Sequence, residues 1–248
     1  MEFNLYYKYM EIKNNFWDDQ IEEGYYEKVL SQGLERKTGI QSNWHNITFL
    51  KIKKHLSSDI KHLDYACGPG SLIGLYSESK SLGYDISDKQ IKYAKKRFSS
   101  NTKVFTTERE EILRNGKYDL ITICGLFEFL KNQEILELMN ELRQLLKQGG
   151  KIIITTPNYR GIFPFIEKIG EIIGEVEYRQ VNINKFNITK LEKILQEGEF
   201  TNFKVQKFLN VGVFASLFGH KIGIKLESLI GKVFNNFFGL LLYAEVEF

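Results

Sequence analysis

Cysteine and proline are both scarce in this 248-residue chain, with two of the former and three of the latter. Cys67 and Cys124 offer no metal-ligand spacing and no disulfide framework, which fits a reducing cytosol. No stretch approaches the ~18 apolar residues that a membrane span requires, and the N-terminus shows no apolar run of the signal-peptide kind. The expected localisation is cytoplasmic. Charge of one sign is lacking as well. A net charge of +3 without a dense basic stripe argues against a nucleic-acid partner, and Lys51, Lys53 and Lys54 read as the solvated face of a helix. Internal repeats, low-complexity tracts and Pro/Ser-rich linkers are absent too.

What remains is globular in composition, 43% apolar and 26% charged, enough for one α/β domain with embellishments and a sizeable core. Aromatics reach 14%, with 19 Phe and 13 Tyr, rich enough to suggest an apolar pocket or a sticky surface beyond core packing. Short apolar runs alternate with helical patterns, which predicts βαβ units and a mostly parallel sheet. The strands are expected at 61–66, 82–86, 103–106, 118–124, 151–156 and 203–208, with a last one in LLLYAEVEF. The two final strands read as a hairpin at the sheet edge. Ser87 with Gln90 signs a capping box ahead of a helix lined by Ile91, Ala94 and Phe98. Ile135, Leu138, Met139, Leu142, Leu145 and Leu146 mark an amphipathic helix that Gly149-Gly150 is expected to stop. An apolar-faced helix is expected over 163–173, and Thr189 with Glu192 signs another capping box, closed by Gly198. Residues 17–30 and 44–56 look helical.

The turn after the first strand, Cys67-Gly68-Pro69-Gly70, is built for close approach of a ligand. Glycine lets the backbone bend tightly and come near a bound molecule, and the start of the next helix offers free N–H groups to an anionic group. Asp64 lies near the strand end. Asp85, 17 residues past Gly68, stands where a nucleotide-binding unit places the acid that takes ribose hydroxyls.

Four segments in order then carry a resemblance. HLDYACGPGSL, GYDIS, YDLITICGLFEFL and LKQGGKIIITTPN resemble the successive motifs of class I, Rossmann-like methyltransferases that use S-adenosyl-L-methionine. The likeness covers about 60–160 and, more loosely, 185–208. It implies a doubly wound, mostly parallel seven-stranded sheet with an antiparallel C-terminal edge hairpin and a helical N-terminal extension. It also implies roles. Asp64, Ala66, Cys67, Gly68 and Gly70 would line the methionine end of the cofactor; Asp85 would hold the ribose hydroxyls; Ile86 would pack on the adenine. Glu108 would meet the adenine amino group, and Cys124 and Gly125 would border the methionine portion near the sulfonium. Two departures stand out: the first glycine of the family turn is Ala66, and a histidine common after the fourth-strand acid is Phe129. Glu128 is therefore assigned no catalytic role.

By the same resemblance, 1–58 is a helical extension covering the active site, and 59–248 is the catalytic domain, with acceptor-side insertions near 160–185 and 209–238. His45, in the extension, is the candidate general base, because histidine suits proton removal near neutral pH. Tyr25, Tyr26, Tyr159 and Tyr178 are pocket candidates. Motifs of the nucleic-acid methylating enzymes are absent, which tilts the acceptor toward a small or lipid-linked molecule; O-methylation is the expected reaction. The apolar, Lys-bearing segments near 162–173 and 211–242 read either as lid and edge hairpin or as a surface touching membrane. Competing readings are a degenerate fold serving as a binding subunit and an NAD-dependent oxidoreductase. The latter is disfavoured because the turn reads A-C-G-P-G rather than G-x-G-x-x-G. Metal ligands are not expected, and the oligomeric state is not legible.

Overall fold

Parallel strands buried on both faces need near-continuous apolar side chains, and the centre of this chain supplies them. The computed structural model describes residues 16–161, 163–165 and 182–248. Helices α1 (Tyr25–Arg36) and α2 (Ile40–Lys53) precede β1 (Lys61–Tyr65), α3 (Ser71–Tyr76), β2 (Lys80–Tyr84), α4 (Asp88–Phe98) and β3 (Lys103–Thr106). Then follow α5 (Arg109–Asn115), β4 (Tyr118–Cys124), a 3-10 turn at Phe127–Phe129, α6 (Asn132–Gln144) and β5 (Leu146–Pro157). The chain closes with α7 (Ile188–Glu197), β6 (Phe203–Phe208), a 3-10 segment at Val211–Leu217, α8 (His220–Val233) and β7 (Leu241–Glu247). The seven strands form one sheet in the order β3-β2-β1-β4-β5-β7-β6, in which β7 alone runs antiparallel to its neighbours β5 and β6. This is the expected Rossmann-like sheet with an antiparallel C-terminal edge.

Because side chains alternate across a strand, single strands feed two cores. Ile121, Ile123, Ile152 and Ile154 join Met139, Leu142, Leu191 and Leu195 on the face covered by α6 and α7. Leu120, Ile153 and Tyr243 join Leu30, Ile52, Leu72 and Val213 on the other face, under α1, α2 and the 3-10 segment. The expected helices of 17–30 and 44–56 are thus replaced by two whose bounds differ, packed over the sheet.

Several local expectations are corrected. Gly149-Gly150 does not stop α6, which ends at Gln144; the pair lies inside β5, where the register against β4 shifts between Tyr118 and Leu120. Gly149 takes φ 74, and its N–H donates to the Phe248 carbonyl at 2.7 Å, so the pair serves a bulge. Ser87 does cap α4, accepting from the Gln90 N–H, but the Gln90 side chain does not reach back: it bonds Gly24 and Glu22 instead. The cap of α7 is Asn187 rather than Thr189, its Oδ1 accepting from the Lys190 N–H at 3.0 Å. Thr189 falls inside the first helical turn, past the cap position. The final strands pair as expected, yet residues 209–240 separate them, so they are not a tight hairpin. Most of the helix expected over 163–173, and Tyr178, lie outside the described residues.

The cap assignment is testable by denaturant unfolding. Asn187→Ala should cost about 1 kcal/mol, whereas Thr189→Ala should stay within a few tenths. Equal effects would return the cap to Thr189.

Candidate active site

The strand order reverses between β1 and β4, and it is beyond the carboxyl ends of the strands at such a reversal that open α/β sheets bind their ligands. The chain leaves β1 through Ala66, Gly68 and Gly70, all with left-handed φ of 63, 52 and 76. Ala66 carries a β-carbon in a region that disfavours one, which the glycine usual at that position would avoid. The Cys67 N–H donates to the Tyr84 carbonyl at 2.9 Å and ties the turn to β2. The two glycines do different work. A β-carbon on Gly70 would stand 2.5 Å from the Phe105 ring, so Gly70 lets the turn sit on the core. A β-carbon on Gly68 would meet nothing within 4 Å: this backbone faces open space. Beside it the Ser71 hydroxyl is buried with no partner. An open glycine floor and an orphaned donor fit a ligand that S-adenosylmethionine could be.

Asp85 joins the turn to the end of β2. Its Oδ2 accepts from the Gly68 N–H at 2.8 Å and its Oδ1 from the Ser87 N–H at 2.9 Å. Burial pushes its carboxyl pKa up against these two donors, and the Asp18 charge adds to the rise. Each oxygen keeps a free lone pair for a ribose hydroxyl. Ile86, next along, is partly exposed. Glu108 is exposed and precedes α5, its N–H held by the Thr106 hydroxyl at 3.0 Å.

Asp64 lies beneath the turn on β1. Its Oδ1 accepts from the Thr122 hydroxyl on β4 at 2.6 Å, and Thr122 Oγ1 lies 2.8 Å from His62 Nε2. Burial pushes the Asp64 pKa up to about 7 and drives that of His62 down to about 3. His62 is therefore neutral, and with Asp64 ionised it donates from Nε2 to Thr122, which donates to the carboxylate.

At the end of β4, the Gly125 N–H donates to the Thr155 carbonyl at 2.9 Å. Burial raises the pKa of both thiols, the buried Cys67 and the half-buried Cys124, which argues against a nucleophile at either. Glu128, left without a role by the sequence, is buried here. Its Oε2 accepts from Thr156 at 3.0 Å, and its Oε1 lies 3.5 Å from where a Gly125 β-carbon would be. Burial lifts its pKa to about 7. The available signal was an acid inside the apolar run LFEFL, since unpaired buried acids are rare.

Residues 16–26 lie across these strand ends. The Ser87 hydroxyl donates to Asp18, Lys89 donates to the Asp18 carbonyl, and Trp17 meets the Phe129 ring edge-on at 5.0 Å. Nothing in the sequence marked Asp18 or Trp17. His45 contacts the rings of Tyr26 and Phe49, at 5.8 and 5.9 Å, and burial lowers its pKa to about 4. Trp44, Phe163 and Tyr159 form a second aromatic row, with centroids 6.1 and 5.1 Å apart. Among the described residues no cluster could hold a metal ion.

Fold and site together define a Rossmann-like methyltransferase of class I, with S-adenosylmethionine as methyl donor. The methyltransferase domain family matches residues 37–205, and the chain belongs to that family. It is similar to malonyl-[acyl-carrier protein] O-methyltransferase 1 of Ilyobacter polytropus, 28% identical over 187 residues that cover 67% of this chain and 68% of the relative. The magnesium protoporphyrin IX methyltransferase of Synechocystis PCC 6803, solved with bound SAH, shares the fold at TM-score 0.56 and 16% identity, covering 96% of this chain and 99% of its own. The plantazolicin methyltransferase BamL, also with SAH, superposes at TM-score 0.58 and 19% identity, covering 95% of this chain and 94% of its own.

Two expectations test the cofactor cradle. Asp85→Ala should weaken binding of S-adenosylmethionine in calorimetry by about tenfold or more, the cost of losing charged-acceptor bonds, and Gly68→Val should abolish it by filling the open floor. Unchanged affinity would remove that residue from the site. The second concerns protons. The cofactor's cationic groups favour ionised Asp64, whose pKa near 7 means that below this pH binding must expel a proton. Affinity should therefore rise as pH climbs from 5.5 toward ~7 and level off above it, with proton release visible in buffers of different ionisation heat. A flat profile would place Asp64 away from the cofactor's charge.

Proposed function

We propose that this enzyme methylates an oxygen of a small-molecule or lipid-linked acceptor, with Glu128 as the group that takes the acceptor's proton. The observation that carries this reading is the buried Glu128 carboxyl beside Gly125, with a pKa near 7. A base works best when its pKa lies near the working pH, and a hydroxyl acceptor must lose a proton as it is methylated. S-adenosylmethionine supplies an electrophilic methyl group on an excellent leaving group. The chain's own task is to orient the acceptor, exclude water and receive the proton.

The site residues take the places that the family resemblance gives them. Asp64, Ala66, Cys67, Gly68 and Gly70 line the methionine end; Asp85, Ile86 and Glu108 serve the adenosine; Cys124 and Gly125 border the sulfonium. The N-terminal extension acts as the cover. Its support is the pair of clamps from Asp18 to Ser87 and from Trp17 to Phe129, which span from the β2 end to the β4 end. Trp44, Tyr159 and Phe163 form the wall against an apolar acceptor. His45 is the alternative proton acceptor. It is neutral at pH 7 and so able to accept, but its ring contacts are with Tyr26 and Phe49 rather than with the end of β4. The O-methyltransferase named above supports oxygen as the target atom.

The test is transfer of labelled methyl from S-adenosylmethionine to phenols, lipid-linked sugars and carrier-bound malonyl thioesters, followed by Glu128→Gln. With a hydroxyl acceptor, the variant should bind cofactor normally but lose about 100-fold or more in kcat, together with the rise in kcat through pH 7. A carboxylate acceptor is already ionised and needs no base, so kcat there should be nearly unchanged. Transfer only to nitrogen, sulfur or carbon would overturn the oxygen assignment. A His45→Gln variant that loses the pH profile while Glu128→Gln keeps it would reverse the two residues.

A further inference from the structure

The insertion between β6 and β7 carries an apolar surface that the fold leaves uncovered. On α8 the side chains of Ile222, Leu226, Leu229 and Val233 recur at intervals of three or four residues and are exposed, Val233 to 65%. Helical geometry puts them on one stripe about 60° wide. Phe218, 81% exposed, precedes the stripe, and Phe237, 69% exposed, follows it. Lys221, Lys225 and Lys232 are exposed along one flank of the same stripe.

The stripe is not an inward face caught turned out. The opposite side of α8 is fixed by contacts too close to permit rotation. A β-carbon on Gly212 would sit 2.3 Å from the Glu227 backbone nitrogen, and one on Gly223 would sit 2.0 Å from the Ser216 hydroxyl. Asn43 on α2 donates to Ser216 at 2.7 Å and to the His220 carbonyl at 3.2 Å, and Ser42 lies 2.8 Å from the His220 ring. Glu227, the lone acid between 209 and 240, is turned inward and accepts from Asn210 at 3.2 Å. The outer surface of the insertion therefore combines large apolar groups with lysines and no acid.

We propose that this face docks on a bilayer surface bearing anionic lipids, with α8 lying in the plane of the headgroups. Apolar side chains enter the headgroup–acyl boundary while lysines pair with the negative surface, which is how an interfacial helix holds a membrane. No helix among the described residues is long and apolar enough to cross one, so the attachment is peripheral. A second copy of the chain fits the observations less well, because two such faces would bring six lysines together without an acid to meet them. The face adjoins the site side of the sheet: Phe237, Phe238 and Gly239 line a cleft of about 550 Å³ with Asn158 and Arg160, just beyond the end of β5. The inference does not depend on which atom the enzyme methylates.

Sedimentation of the full chain with phosphatidylcholine vesicles, with and without phosphatidylglycerol, tests the proposal. Partition should require phosphatidylglycerol and weaken as salt rises. Replacing Lys221, Lys225 and Lys232 together with Gln should reduce it on the order of a hundredfold, about fivefold for each lysine. Leu229→Glu with Phe237→Glu should abolish it. All these side chains are exposed, and unchanged binding of S-adenosylmethionine in each variant verifies that folding is intact. Equal partition to both vesicle types, or to neither, would overturn the proposal. So would a concentration-dependent dimer that Leu229→Glu dissolves, because the face would then be an interface between copies.

Discussion

The pairing of β1 with β4 is the constraint on which the site depends. Asp64 stands opposite Thr122, and Tyr65 opposite Ile123, although some 60 residues separate the partners. To the β1 side the chain builds outward through β2 and β3; to the β4 side it builds through β5 toward the antiparallel edge. Helices connecting right-handed units therefore leave the middle in opposite senses and cannot cover the strand ends between them. The open Gly68 floor, the Asp85 clamp and the Glu128 carboxyl all border this gap. No single loop could gather them, since they follow three different strands.

The centre of the fold was legible because its signals are local. YDLITIC is apolar enough to be buried on both faces, and β4 occupies those seven residues and no others. FKVQKF likewise gave β6 its bounds. Errors arose where tertiary contacts chose among local options. Gly149-Gly150 can end a helix or form a bulge, and the pairing of Tyr118 with Leu146 decided for the bulge. Gln90 could have bonded its own helix start, but Gly24 from the N-terminal segment occupies its oxygen. The strand-end turn was legible as a turn because its left-handed backbone favours glycine at Gly68 and Gly70, and Asp85 was legible by its place after β2. Glu128 was marked only by its apolar neighbours and Asp18 by nothing, since a carboxylate acquires its character from groups that only folding brings to it.

The buried titratable groups show how the protein carries a polar site inside an apolar sheet. Asp64 and Glu128, held near pKa 7, keep protons in the folded chain that the unfolded chain has lost by about pH 4. Their contribution to stability thus falls as pH rises through that window and is flat above it. His45 and His62, held near 4 and 3, act with the opposite sign: the folded chain refuses protons that the unfolded chain binds below about 6.5, so stability falls as pH drops through that range. Over the shared range, about pH 4 to 6.5, these acids and histidines act with opposite sign; burial likewise raises Asp85 and lowers His55 and His220.

The same economy of contacts links the N-terminal helices to both ends of the molecule. At one end residues 16–26 grip Ser87, Lys89 and Gln90, the loop that carries Asp85. At the other, the turn between α1 and α2 binds the insertion: the Gly39 N–H donates to the Ser216 carbonyl at 2.9 Å, and the His220 N–H donates to the Lys37 carbonyl at 2.7 Å. These contacts are part-buried, so each adds modestly, and the hold of the segment comes from their number. An extension anchored at both points has little freedom to lift from one while keeping the other. The α8 insertion, the α1–α2 turn and the start of α4 are thus joined through one N-terminal segment, whose helices pack on a face of the sheet.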